Sequence, residues 1–522
     1  MGGTATIASS CTTELTLMTR TEKLILLKNV VANVLRGSMA ALVAVLLPPF
    51  LTRLMSPNAY GAWSLILQIS AYVGYLDFGI QTAVGRYVAH CNETGDVDRR
   101  DRIVSTSLAA LTFAGVAGII GTLLAASILP AVFRQMPSAL LGDARAALVI
   151  VGISLAVGLP ASLFNGVFVG LQRYEIPAIT VGTSRALSAV LLVVVARRGG
   201  SLTSMAVATA AVNLISYAFQ FLLYRGSALK LRLSPGLVSR AAANELLSYC
   251  FSLTIWSFAM LLVTGLDLMI VGHFQFEAVG AYAVAATLIT FLVGLQQAVF
   301  NVMIPSTAVQ HARGGADSLG SLMITATRYG LFLLLLGGLP LILGARQLLT
   351  VWAGAPYAVR GTTVLRLLVA ANIVRLSAVP YAMTLIGTGQ QRLVIATPLF
   401  EGFSNLLVSF FAAYYFGAVG VAVGTLVGSV IGVLGNFAYN MPRTIGFKLS
   451  RYLYIRDGLL RPCLCAIPVT TLALLAELHI SPSRAESYVV FGGVLFTTLL
   501  LLWRWGLIEP ERTKLRNLKF AI

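Results

Sequence analysis

Arg36, Arg185, Arg375, Asp77, Asp267 and Glu401 stand where the surrounding sequence is long and apolar enough to cross a membrane. A charge at the centre of a membrane helix costs roughly 2.5–3.5 kcal/mol on insertion scales, so each calls for a partner or a task. Arginines at depth can hold an anionic group through two parallel hydrogen bonds, and buried carboxylates can orient an arginine or take up a coupling proton. The chemistry this implies is binding and translocation. Arg36 lies about six residues, or roughly 9 Å, inside its span, so ligand contact and snorkelling to the headgroups weigh equally. Arg53 and Arg86 lie nearer the surfaces and read first as interfacial anchors, although Arg86 is also placed to receive an anionic headgroup. Asp77 can pair with Arg86 or with a first-span group, and Asp267 falls near the end of the seventh span. Arg375 and Glu401 occupy consecutive spans and favour an ion pair over substrate contact, whereas Arg185 has no acidic partner nearby in sequence. Gly166, Gly170, Gly387 and Gly389, with Pro160 and Pro380 upstream, suggest bent fourth and tenth helices, as hinges or as packing contacts. Tyr381, Gln296 and Gln297 could offer hydrogen bonds to a polar cargo.

The elements that must position these residues are membrane helices. Hydrophobic residues make up 57% of the chain and charged ones 11%, with a mean hydropathy of +0.86, far from the roughly 25% charged content of a soluble domain. The expected fold class is an all-α polytopic membrane protein of about 14 transmembrane helices. They run near 30–51, 60–84, 104–130, 146–171, 176–196, 202–224, 246–272, 279–308, 322–344, 362–387, 392–415, 418–440, 458–477 and 487–507. The expected divisions are a cytoplasmic segment 1–28, an N-lobe 29–225, a loop 226–243, a C-lobe 244–441, a loop 442–456, two added spans in 457–507 and a basic tail 508–522. Residues 1–28 do not read as a signal peptide, and the first 17 suit a disordered segment or an early start codon.

The net charge of +18 gathers mainly in alternate loops, which argues for topology and against nucleic acid as a partner. Arg20, Lys23 and Lys28, then Arg86, Arg99, Arg100 and Arg102, then Arg225, Lys230, Arg232 and Arg240 fall on one side, followed by Arg443, Lys448, Arg451, Arg456 and the basic tail. Both termini are therefore expected in the cytoplasm. The four histidines lack metal spacing, Cys463 and Cys465 do not form a metal box, and no phosphate-binding glycine loop occurs. No cofactor or metal is expected. A glycan polymerase or ligase would need a large exported loop that these short connections lack, so an enzyme is not expected.

An internal duplication underlies the topology. Tyr60-Gly61-Ala62-Trp63 matches Val279-Gly280-Ala281-Tyr282, and Gly170-Leu171-Gln172-Arg173 matches Gly389-Gln390-Gln391-Arg392, both at a spacing of 219. Units of six spans insert the same way, which implies two lobes about a pseudo-two-fold axis along the membrane normal and a central cavity between them.

The run LTRLMSPNAYGAWSLILQISAYVGYLDFGIQTAVGRYVA resembles the opening of Wzx-type polysaccharide flippases, within the multidrug/oligosaccharidyl-lipid/polysaccharide exporter superfamily. GLDLMIVGHFQFEAVGAYAVA resembles the start of that family's second lobe, where an Asp, here Asp267, precedes a Val-Gly-x-Tyr turn. The resemblance covers about residues 30–440. It implies translocation of an undecaprenyl-diphosphate-linked oligosaccharide from the cytoplasmic to the periplasmic leaflet of the bacterial inner membrane, with cavity-lining arginines on the diphosphate. It tilts Arg36 towards ligand contact. A sugar hydroxyl costs roughly 4–8 kcal/mol to bring unpaired into an alkane-like phase, so such a headgroup needs a polar path. Membrane lipid would surround the chain, and glycosyltransferases and a polysaccharide polymerase are candidate protein partners. The rival readings are a cation-coupled exporter of drug-like molecules with the same fold, and a non-transporting component of a polysaccharide synthase complex.

Overall fold

The computed structural model describes residues 42–226, 231–300, 316–445 and 450–467, with isolated positions in 303–311 and 471–504. Arg36, the terminal segments and most of the last two expected spans lie outside the described residues. The described chain is helical throughout: α1 (Leu42–Leu54), α2 (Pro57–Ala71), α3 (Ile80–Thr94), α4 (Val97–Val132), α5 (Ser138–Gly170), α6 (Glu175–Arg197) and α7 (Leu202–Arg225) come first. They are followed by α8 (Arg240–Met260), α9 (Asp267–Phe274), α10 (Val279–Phe300), α11 (Ala316–Leu343), α12 (Ala345–Trp352), α13 (Ala355–Leu376), α14 (Val379–Gly387) and α15 (Gln391–Gly435). α15 holds the eleventh and twelfth spans, which reverse at Gly417 in the left-handed region (φ 56°).

The chain forms two compact units. The first contains residues 66–129 and 141–254, the second residues 48–65, 130–140 and everything from 255. In the first, Val84, Val88, Ile103, Leu111, Leu163, Val167 and Leu246 make a core from α3, α4, α5 and α8. Small residues allow the close approach: a Cβ on Gly166 would sit 2.6 Å from the Gln81 carbonyl, and one on Gly170 would sit 2.7 Å from that of Gly85. In the second, Leu292, Leu331, Leu334, Leu335, Leu339 and Leu376 interlock α10, α11 and α13. Outward faces remain apolar, with Phe113 78% and Phe411 63% exposed, as suits helices solvated by lipid.

The second span is interrupted. After α2, a 3₁₀ segment runs from Tyr72 to Asp77, then Phe78 (φ 49°) and Gly79 (φ 78°) both turn left-handed before α3 restarts. A Cβ on Gly79 would also meet the Leu253 side chain at 2.8 Å. The tenth span breaks as well, between α13 and α14, just before Pro380. The fourth, α5, runs unbroken through Pro160. Gly166 and Gly170 thus occupy packing contacts, while Gly387 ends α14 and Gly389 (φ 77°) turns the chain after it.

Prolines inside spans remove an N–H and free the carbonyl four residues earlier. Pro130 frees that of Ala126, which accepts from Arg145 Nε at 3.1 Å. At the break in the tenth span Leu376 ends α13, so its carbonyl has no helical partner, and it accepts from Gln296 Nε2 at 2.8 Å. Pro160 frees that of Ala156, which faces the Cα of Gly115, where a Cβ would come within 2.8 Å. Gln296 and Tyr381 are buried, so the cargo contact expected of them gives way to structural duty. Gln296 holds a helix-end carbonyl, and the Tyr381 hydroxyl pairs with Thr444 Oγ1 at 2.6 Å. Replacing Gln296 by Leu should lower stability by about 1–3 kcal/mol, the cost of a buried acceptor left without its donor. Thermal unfolding in detergent, beside Gln297→Leu at the exposed neighbouring position, checks this.

Candidate substrate and coupling site

In the first unit, Asp77 closes the interrupted second span. Its Oδ1 accepts from the Gln81 backbone N–H at 3.3 Å, the geometry of a carboxylate at a helix N-terminus, where the dipole favours negative charge. Asp77 and Arg86 form no ion pair. Arg86 is exposed and lies over the Tyr249 ring, 4.8 Å from its centroid, while Tyr87 meets the same ring edge-on at 6.2 Å. Beside them Arg99 Nη2 reaches Glu245 Oε1 at 2.6 Å. This bond to a carboxylate moves the Arg99 pKa further up. Stacking on Tyr249 fixes the Arg86 stem and leaves guanidinium N–H groups for an anion. Arg185, in α6, is exposed.

The second unit buries the acids. Asp267 is 8% exposed, and its Oδ2 accepts from the Tyr282 hydroxyl at 3.0 Å and from Thr425 Oγ1 at 3.2 Å. Next to it Asn405 Nδ2 donates to the Val263 carbonyl at 2.8 Å, and Ser409 Oγ donates to Asn405 Oδ1 at 2.8 Å. Val263 belongs to a π-helical turn, Leu261–Gly265, whose widened spacing leaves its carbonyl to a side chain. Glu401 and Arg375 approach at 4.0 Å, and Arg375 Nη2 donates to Asn372 Oδ1. Gly432 makes room for the pair, since a Cβ there would lie 2.6 Å from Glu401 Oε2.

The Asp267 network unites Tyr282, the tyrosine of the Val-Gly-x-Tyr turn, with Asn405, Ser409 and Thr425, which the sequence analysis does not single out. Their signal was the four-residue spacing of Thr397, Glu401, Asn405 and Ser409, matched by Thr425 and Ser429, one face on each of two consecutive helices. Arg328 was passed over too; it is 1% exposed in α11, with Asp457 within electrostatic reach. Among the described residues, no three His, Cys, Asp or Glu side chains gather as a metal site.

The sequence profile described as polysaccharide biosynthesis protein matches residues 26–310, more than half of the chain. The chain belongs to the polysaccharide biosynthesis protein family. No curated protein matches it in sequence. In fold, this member of the family is similar to the lipid II flippase MurJ in an inward closed conformation, with a TM-score of 0.69, 10% identity, and coverage of 92% of this chain and 99% of that one. It is also similar to an inward-facing multidrug resistance MATE family transporter of the MOP superfamily, at 0.62, 16% identity, 78% and 97%. A third similar fold is a MOP superfamily transporter from Pyrococcus furiosus, at 0.55, 16% identity, 80% and 95%. These likenesses show that the chain shares the all-α fold of those three proteins.

Removing Arg375 alone would strand Glu401 in a buried site, a change that costs about 3–5 kcal/mol for such pairs. Arg375→Ala should therefore unfold at lower temperature than Arg375→Ala/Glu401→Ala. The order of the two unfolding temperatures, measured in the same detergent, checks the coupling.

Proposed function

We propose that the protein is a flippase that carries undecaprenyl-diphosphate-linked oligosaccharide units from the cytoplasmic to the periplasmic leaflet of the inner membrane, for assembly of a surface polysaccharide. The family match over residues 26–310 carries this reading, and the fold shared with a lipid II flippase over nearly its whole length supports it. Arg86 receives the diphosphate at the cytoplasmic leaflet, where its stacked guanidinium keeps hydrogen bonds to offer, and Arg36, Arg185 and Arg375 serve it deeper in the path. The sugars keep water or polar partners in the cleft while the polyprenyl tail stays in lipid. The cycle is alternating access, with both termini cytoplasmic, and the chain itself makes and breaks no covalent bond. Asp267 is the coupling residue: it is a buried acid held by hydroxyl groups, free to exchange a proton or a monovalent cation as the lobes rock.

The second reading, a cation-coupled exporter of small molecules, draws on the same Asp267 network and on the likeness to a multidrug transporter fold. Deleting the gene separates the two. Under the flippase reading, complete polyprenyl-diphosphate oligosaccharide accumulates in the lipid extract, as seen by mass spectrometry. Wild type clears it, and Arg86→Ala or Arg36→Ala at matched membrane levels does so at least about tenfold less well, the loss of one charge-assisted hydrogen bond. Deletion cells with no accumulation, intact surface polysaccharide and new sensitivity to cationic dyes would favour the exporter. A scaffold of a synthase complex would tolerate both arginine changes.

A further inference from the structure

Within the second unit, the turn Arg53–Gly61 and the turn His273–Gly280 are the same feature in the two copies of the repeat. Gly61 and Gly280 are 219 residues apart, and so are Val132 and Val351. Arg53 Nη2 donates to the Val351 carbonyl at 2.9 Å, and His273 Nδ1 lies 2.6 Å from the Val132 carbonyl. A carbonyl only accepts, so Nδ1 carries the hydrogen. Val132 is the last residue of α4, and Val351 lies in the last turn of α12. Both carbonyls are helix-end acceptors with no partner in their own helix and a partial negative charge. Each copy thus sends a nitrogen donor to a helix end of the other copy, in a crossed arrangement.

Between the two crossed bonds the equivalent glycines touch. A Cβ on Gly61 would lie 3.0 Å from the Gly280 nitrogen, and one on Gly280 would lie 2.8 Å from the Pro57 carbonyl and 3.5 Å from the Gly61 nitrogen. Contact between a residue and its own equivalent marks a two-fold axis. The donors have diverged in residue and in position, since Arg53 and His273 are 220 residues apart and not 219, while the kind of bond has been kept.

We propose that Arg53 and His273 are a matched pair of latches that hold the outer gate closed across the Gly61–Gly280 contact. This rests on the alternating-access reading above, and on the loop charges that assign this end to the outside. Both bonds are exposed, so when they open the carbonyls and the donors pass to water at little net cost. A gate closed by exposed hydrogen bonds about a small-residue contact opens readily. One closed by buried ion pairs would not. Release of cargo requires both latches and the glycine contact to part together.

The test is cysteine labelling of the full-length protein in cells, with native cysteines replaced. Tyr60, 5% exposed and stacked edge-on against Tyr357 at this contact, becomes the reporter as Tyr60→Cys, probed with a membrane-impermeant maleimide added outside. Arg53→Ala and His273→Ala should each speed labelling about fivefold and the double variant about twenty-five-fold, since separated contacts of this kind add in free energy. His273→Gln and Arg53→Lys keep a donor and should label near the parent rate. Parent-rate labelling in the double variant overturns the latch, as does an effect confined to one side. If the double variant does not reach the membrane, the two singles decide by the same criterion. The readout follows gate geometry whatever the cargo, so labelling as expected without lipid-linked oligosaccharide accumulating in the deletion strain would keep the gate and discard the flippase.

Discussion

The constraint on which the rest of the structure depends is the backbone acceptor in lipid. No water at membrane depth can take up a carbonyl freed by a proline or left over at a helix end, so each must find a donor within the protein. Arg145 answers Pro130, Gln296 answers the end of α13 at Leu376, and the bare Cα of Gly115 approaches the carbonyl released by Pro160. Arg366 Nε does the same for Ile342, one residue before the end of α11. Polar side chains that look like cargo contacts in an apolar sequence are in large part held by this duty.

What remains divides by unit. In the first, Arg86 is exposed and its guanidinium is stacked on Tyr249 with no ion pair to a carboxylate among the described residues, an arrangement suited to an anion. In the second, Asp267 and Glu401 are buried among hydroxyl, amide and guanidinium groups. Burying an acid costs free energy that hydroxyl partners only partly offset, so its protonation or cation occupancy can follow a small change in access. An exposed cation in one unit and buried acids in the other are what both proposed transport readings draw on.

The all-α class and the spans that fall among the described residues were legible in the sequence because lipid imposes one rule, about 20 apolar residues per crossing. The neighbourhood of Arg375 and Glu401 followed from their consecutive helices. The partners of Asp267 were not legible, because Thr425 lies 158 residues away in sequence and only packing brings it close. The break in the second span was half visible. Gly79 marks it, but Phe78 adopts a left-handed conformation that its side chain does not advertise. The second landmark of the duplication shows the same limit. The left-handed residues that close α5 and α14 are Gln172 and Gly389, 217 residues apart. Each is followed by the same six-residue closing bond, Arg173 N–H to Phe168 O and Gln390 N–H to Leu385 O. Backbone geometry aligns the copies two residues away from where the matching letters did.

That shift separates what duplication preserves from what it leaves free. At the Gly61–Gly280 contact letter and geometry agree, because a side chain on either residue would meet the other's backbone. After α5 and α14 geometry alone survives, because a helix can be closed by glutamine at a modest cost in a left-handed position. At Arg53 and His273 a donor survives while its residue type changes and its position shifts by one, because a helix-end carbonyl asks only for an N–H. Constraint on residue identity is thus tightest where backbones touch, looser where backbone turns, and loosest where a side chain meets water. The axis of the repeat can be read from its contacts even where sequence similarity between the copies has faded.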